Sequence, residues 1–258
     1  MNKTPDYIEF SNPELVAIYD SINSIDEYKD FYLEKAKQFN VTSVIDIGCG
    51  TGLLSYEFAK IGCKVLGVEP SEQMLEVASL RTGCENVQWI EGSADLLESS
   101  IADFTVMTGH VAQFFLDDED WLMNLSAINS ALVNGGHLVF ESRNPIVQPW
   151  WDDSVDIHID WPSSESRRMV EVGSIGKVEW WMAFLKATGD RVLYENHYQF
   201  TKTNKKLVSV NELRFRTQEE IIKSLIETGF RVESIYGDWD KTLATQKTPE
   251  MIFVAVKN

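Results

Sequence analysis

Three cysteines in 258 residues, Cys49, Cys63 and Cys84, lack CxxC spacing and are odd in number. They offer neither a metal-ligand framework nor a disulfide framework, and read as small thiols of a reducing compartment; no metal is expected. Long apolar runs are missing as well. None approaches the ~18–20 residues of a membrane span, and the amino-terminal MNKTPDYIEF has no basic segment leading into an apolar one. The expectation is a cytoplasmic protein with no membrane partner. Positive charge is scarce: 23 Lys and Arg stand against 40 Asp and Glu, a net charge of −17. The deficit is concentrated in residues 1–142, with 7 basic and 23 acidic side chains, and such a surface repels a phosphate backbone. Nucleic acid is therefore disfavoured as a partner. The one local exception is Lys202, Lys205, Lys206, Arg214 and Arg216, which suits either a solvated hairpin or a patch for RNA.

What is present is an alternation of strand and helix. Two amphipathic helices open the chain at 13–21, with proline in the first turn, and at 26–39. Apolar strands follow at 43–47, 64–69, 86–91, 103–108 and 136–142. Helices are expected at 53–61, after Ser71 as a cap, and at 117–132 with an acidic first turn. This rhythm predicts an α/β fold, a doubly wound, mostly parallel sheet with right-handed crossovers. After Pro145 the pattern changes. Segments 155–159, 176–188, 191–202 and 205–215 read as strands joined by turn residues, an inserted antiparallel hairpin layer over one edge or mouth of the sheet. Thr217 caps a helix at 218–227, and 231–236 and 251–256 supply two final strands. Their link is too short for a crossover helix, so they should pair antiparallel, giving seven strands with the last reversed. The chain thus reads as one domain: helices at 1–40, a cofactor-binding core at 41–144, the insert at 145–216, and a closing helix and strands at 217–258.

The segment VIDIGCGTG at 44–52 ends a strand and opens a helix, with Gly48, Gly50 and Gly52 at alternate positions. Such glycines let the chain turn sharply and pass a ligand at close range, while the helix start directs amide groups into the crevice. Glu69 closes the next strand, where a carboxylate accepts ribose hydroxyls. A dinucleotide loop would need a third glycine in GxGxxG spacing, and Leu53 stands in that place. Asp46, before the first glycine, is a poor neighbour for a pyrophosphate and a good one for an ammonium.

VIDIGCGTG, GVEPSEQML at 67–75 and WIEGSADLL at 89–97 resemble the first three motifs of the class I, Rossmann-like S-adenosylmethionine-dependent methyltransferases, and the resemblance covers most of the chain. It implies the same seven-stranded sheet, S-adenosylmethionine as methyl donor and S-adenosylhomocysteine as product. It also implies Gly48, Gly50 and Gly52 against the methionine portion, Asp46 near its amino group and Glu69 on the ribose. Pro70 and Met74 would lie beside the adenine, with Gly92, Ser93 and Ala94 at its edge. Many relatives carry an acidic residue where Ser93 stands; either its hydroxyl or Asp95 would take that contact.

In an open parallel sheet the ligand lies outside the carboxyl ends of the strands. Thr108, Gly109 and His110 emerge there. His110 can take a proton from an acceptor or bond the cofactor carboxylate. ESRNPIVQPWW at 141–151 emerges beside it: Arg143 can pair with Glu141 or hold a substrate carboxylate, and Trp150 and Trp151 form either a lid or core packing. Six of eight tryptophans follow Pro149, which suits a cage over a planar or cationic substrate. His197 or Tyr198 faces inward, and His197 is taken as the candidate; Asp238, at the end of the sixth strand, binds an amine or caps a loop. Neither the Asn/Asp-Pro-Pro-aromatic loop of base- and glutamine-methylating relatives nor the cysteine of cytosine C5 enzymes follows the fourth strand. The expectation is methyl transfer to oxygen or nitrogen of a small molecule by in-line displacement. A non-catalytic S-adenosylmethionine-binding partner or sensor, or an RNA methyltransferase, are the alternatives. Oligomeric state is not legible.

Overall fold

The computed structural model describes residues 4–148 and 167–258. The expected strand at 155–159, and with it Trp150 and Trp151, lies outside the described residues.

Short helices α1 (Pro13–Val16), α2 (Tyr19–Ile22) and α3 (Lys29–Gln38) open the chain. The alternating core follows: β1 (Ser43–Ile47), α4 (Leu53–Lys60), β2 (Lys64–Glu69), α5 (Glu72–Ser79), β3 (Val87–Glu91), β4 (Ala102–Met107), α6 (Asp118–Ala131) and β5 (Leu132–Arg143). Then come β6 (Arg168–Val172), β7 (Gly176–Thr188), β8 (Arg191–Phe200), β9 (Lys205–Arg214), α7 (Gln218–Glu227), β10 (Phe230–Tyr236) and β11 (Glu250–Lys257).

One expected helix splits. Pro13 at its first turn and the Asn12 side chain, accepting from Glu14 N–H, start α1 as the sequence requires. The backbone then tightens, with Ile18 N–H donating to Leu15 O. That break buries both Leu15 and Ile18 against Val178 and Tyr198 of the insert, and packing outweighs helical continuity.

The described strands form two sheets. Seven run in the order β10-β11-β5-β4-β1-β2-β3, with β11 antiparallel to both neighbours and the other described pairings parallel. The central strands are nearly continuous apolar runs because both faces are covered. Ile45, Ile47, Val68, Leu138 and Phe140 face a core with α6 and α7, while Val44, Val65, Val106 and Val139 face α3 and α4. Four strands form the antiparallel insert, β6-β7-β8-β9; of these, β6 carries no clear sequence signal. Where capping chemistry was legible it holds: Ser71 accepts from Met74 N–H, and Thr217 and Glu220 form a reciprocal capping box. Among the described residues, no helix is long and apolar enough to cross a membrane.

The basic stretch is mostly neutralised in the fold. Arg214 pairs with Asp190 and Asp118, and Arg216, 3% exposed, donates to Phe115 O, Asp117 O and Asp118. Lys205 pairs with Glu14. These side chains stitch the insert to α1 and to the start of α6.

Candidate active site

The glycine loop folds back onto β2: Gly48 and Cys49 donate backbone N–H groups to Val68 O at 2.8 and 3.2 Å. A Cβ on Gly48 would stand 2.5 Å from Val111 Cγ2, and its φ of +68° already excludes most side chains. Gly50 donates its N–H to Glu69 Oε2 at 3.0 Å, and Ser71 N–H reaches Glu69 Oε1 at 3.1 Å. Two backbone amides therefore orient this carboxylate, although burial raises its pKa. Asp46 is 1% exposed, and Oδ2 accepts from Ser55 at 2.6 Å. Burial, opposed by that bond, pushes its carboxyl up to about 7. Its Oδ1 is buried without a hydrogen-bond partner among the described residues. A side-chain-free cradle beside an unmatched buried acceptor fits the α-ammonium and amino-acid portion of a sulfonium cofactor. Burial and the neighbouring Asp46 raise the Cys49 thiol well above its ordinary pKa, which disfavours the nucleophilic thiolate.

The amino-terminal segment closes over this loop. Thr51 donates its hydroxyl to Asp20, and Arg81 donates to Asp20 Oδ2 at 2.7 Å and to Thr51 O at 3.1 Å. Ser71 donates to Phe10 O at 2.5 Å. Tyr19 thereby lies against Gly50, where an added Cβ would find its ring at 3.9 Å.

At the carboxyl rim of the sheet, β4, β5 and β11 converge. His110, in left-handed conformation at φ +62°, donates its backbone N–H to Glu141 Oε1 at 2.9 Å. Its Nε2 lies 3.0 Å from Glu250 Oε2. Tyr32 donates its hydroxyl to Glu141, whose carboxyl is raised chiefly by burial. Arg143 donates to Gln113 Oε1 at 2.9 Å instead of pairing with Glu141.

Loop and rim open into one cavity of about 1580 Å³, well above the ~300–1,000 Å³ usual for a small-molecule site, so a second ligand fits beside a cofactor. Its far wall is the inner face of the insert, with Trp180, Met182, Tyr194, Asn196, Tyr198 and Leu213. Of the expected residues, Asp46, Gly48, Gly50, Glu69, Pro70, Met74, Gly92, Ser93, Thr108, Gly109, His110, Arg143 and Asp238 line the cavity.

Three expected residues lie elsewhere. Gly52 is packed beneath the loop, where a Cβ would meet Trp89 at 2.6 Å. Ala94 is wholly buried in the core beside α6. His197 occupies the opposite face of β8, stacked on Trp181 at 4.9 Å and bonded to Glu195 at 2.9 Å. Strand alternation sends Tyr198 inward in its place. Ser93 donates its hydroxyl to Asp95, and Asp238 Oδ1 accepts Trp239 N–H at 2.6 Å.

Glu250 and Glu9 were not singled out from sequence. Glu250 carries a readable signal: in an antiparallel seventh strand the first residue stands at the carboxyl rim of its parallel neighbours. Glu9 carries none, because its partners come from β8, some 190 positions away.

Residues 44–136 match the methyltransferase domain family. Across 90% of this chain and 92% of the other, it is 25% identical to a protein of Geobacillus sp. (strain WCH70) described as a methyltransferase. A ubiquinone biosynthesis O-methyltransferase of Acinetobacter baumannii is 30% identical over 43% of this chain, and the match spans about half that relative's length, 49%. Among solved structures, the sugar N-methyltransferase KedS8 from Streptoalloteichus sp shares the fold, with a TM-score of 0.72 at 16% identity, over 100% of this chain and 95% of that one.

Proposed function

We propose that the chain is a class I S-adenosylmethionine-dependent methyltransferase, a reading supported by the methyltransferase domain match over residues 44–136 and by the shared fold, and that it methylates an oxygen or nitrogen of a small molecule held between the sheet rim and the insert. The observation that carries this reading is the one cavity running from the Asp46 and Glu69 carboxylates, past His110, to the insert wall. The paired arginines of the basic stretch favour a small molecule over RNA.

S-adenosylmethionine, when bound, supplies a methyl group already activated on a sulfonium. Asp46 and the loop from Gly48 to Gly50 hold the amino-acid end, Glu69 the ribose, and Pro70 and Met74 the adenine. The remaining work is alignment and exclusion of water, which can contribute ~7–11 kcal/mol in an in-line displacement. The amino-terminal clamp of Asp20, Thr51 and Arg81 closes the loop side. His110 is the candidate proton acceptor. A neutral imidazole whose Nε2–H donates to Glu250 leaves Nδ1 bare, able to take the proton of an acceptor hydroxyl or ammonium. Glu141, holding the His110 backbone, keeps that ring at the rim.

The test is incubation of the purified chain with methyl-labelled donor and fractionated small-molecule extracts, alongside calorimetry with S-adenosylhomocysteine. Donor-product binding together with label in a small molecule, lost in Asp46→Ala, is the expected result. Folded protein giving no heat with S-adenosylhomocysteine overturns the reading.

A further inference from the structure

Beyond the cofactor loop and the rim, the cavity holds a second polar centre on the insert. Its middle is Glu9, in a short turn ahead of α1, 6% exposed and facing the inner side of β8 and β9. Asn196 Nδ2 and Tyr198 OH both donate to Glu9 Oε2, at 2.5 and 2.7 Å. Ser209 Oγ accepts the Glu9 backbone N–H at 3.3 Å. Among the described residues, no lysine, arginine or histidine forms an ion pair with this carboxylate. A buried carboxylate is ordinarily paired with a cation, and one that lines a cavity with neutral donors alone is mismatched in charge.

A second, independent mismatch lies beside it. Asn196 is 8% exposed and lines the cavity; with its amide nitrogen committed to Glu9, its Oδ1 is a buried acceptor without a hydrogen-bond partner among the described residues. One diagonal step away on the same face, Trp180, paired with Tyr198 in the sheet, has a buried indole N–H that likewise has no hydrogen-bond partner among the described residues. Met182, Leu213 and Tyr194 line the wall around them, an apolar surround for a carbon skeleton. Burial also raises the Glu9 pKa, in keeping with a carboxylate short of positive charge.

We infer that Glu9, Asn196 and Trp180 form an anchoring subsite for a protonated amine carried by the acceptor, distinct from the atom that is methylated. This rests on the small-molecule reading above and narrows it. An ammonium supplies both the charge that Glu9 lacks and the donor that Asn196 Oδ1 lacks, and a hydroxyl on the next carbon can accept from Trp180. The anchored nitrogen, being protonated, has no lone pair with which to attack, so it orients the acceptor while another atom faces His110. The substrate class is thus a small amine bearing a second nucleophilic group, as in a diamine or an amino sugar.

The experiment titrates the protein saturated with S-adenosylhomocysteine with four probes: putrescine and its uncharged counterpart 1,4-butanediol, and glucosamine and its uncharged counterpart N-acetylglucosamine. Binding is followed by calorimetry and by the Trp180 indole N–H resonance, assigned with Trp180→Phe. Putrescine or glucosamine should bind saturably, shift that resonance, and outbind its counterpart by at least about tenfold. Glu9→Gln, which retains an acceptor for Asn196 and Tyr198, should remove that preference, and Glu9→Asp should restore part of it. Equal affinity within both probe pairs, binding that leaves the Trp180 resonance unmoved, or no binding by any probe overturns the proposal. If Glu9→Gln proves unstable, the wild-type comparison within each pair decides alone. Absence of heat with S-adenosylhomocysteine strikes the donor reading instead, and the same probe titration on the unliganded protein then judges the subsite separately.

Discussion

His110 Nε2 stands 3.0 Å from Glu250 Oε2, joining the loop after β4 to the first residue of β11 across 140 positions of sequence. The contact exists because β11 runs against its neighbours: Glu250 pairs with Arg143, the last residue of β5, and so starts where the parallel strands end. Glu250 orients the imidazole, and that assigns it a measurable role. Glu250→Leu should lower kcat by about 10²–10⁴-fold, the range a general base contributes, with little change in affinity for the methyl donor. Glu250→Gln, which can still accept from Nε2–H, should lose less. Nitrogen NMR of His110 should show the neutral ring protonated at Nε2 in the wild type and a mixture of tautomers in Glu250→Leu. A single unchanged tautomer in that variant would remove Glu250 from the mechanism.

On the proposed reading, Asp46 links cofactor binding to pH. Its folded carboxyl lies at about 7, above the ordinary carboxylate value, because burial disfavours the anion. The sign follows from linkage: the folded, unliganded protein holds this proton more tightly than the unfolded chain, so the group's contribution to stability rises as pH falls through about 7. The cofactor ammonium favours the anion, so affinity should fall toward about tenfold per pH unit below that value. Burial of Glu69 and Glu141 acts in the same direction. Calorimetry with S-adenosylhomocysteine from about pH 5 to 8 should give this slope in the wild type, and a flatter one in Asp46→Asn.

Gly52 supports the loop from below. With φ +76° and Trp89 only 2.6 Å from the place of a Cβ, Gly52→Ala combines a strained backbone with an overpacked contact. The expected loss is roughly 2–4 kcal/mol, a fall in Tm of about 4–12 °C by thermal melt. Gly109, whose added Cβ would meet nothing within 4 Å among the described residues, serves as the comparison and should lose less.

The clamp over the loop should be separable from the cofactor contacts. Arg81→Ala removes the bonds to Asp20 and to Thr51 O while leaving every loop glycine in place. Limited proteolysis should then cut within residues 4–28 faster than in the wild type, and S-adenosylhomocysteine should bind several-fold more weakly. Unchanged cleavage and affinity would mean that the pair, which is partly exposed, adds nothing measurable.

The sequence by itself determined whatever depends on neighbours along the chain. Apolar runs gave β1 and β2 their bounds, hydroxyl caps started α5 and α7, and the glycines of 44–52 turned the chain between strand and helix with Glu69 at the right remove. These are local conformational preferences, and they carried both the sheet and the glycine-loop end of the cavity. Tertiary structure decided what depends on which face meets which. Packing of Leu15 and Ile18 against the insert broke an apparently continuous helix, and strand parity turned Tyr198 inward and sent His197 out to Trp181. Only the reversed seventh strand brought Glu250 to His110, and only closure of the insert brought Asn196 and Tyr198 to Glu9. Contacts across such separations are fixed by register and docking, which no local pattern of residues encodes.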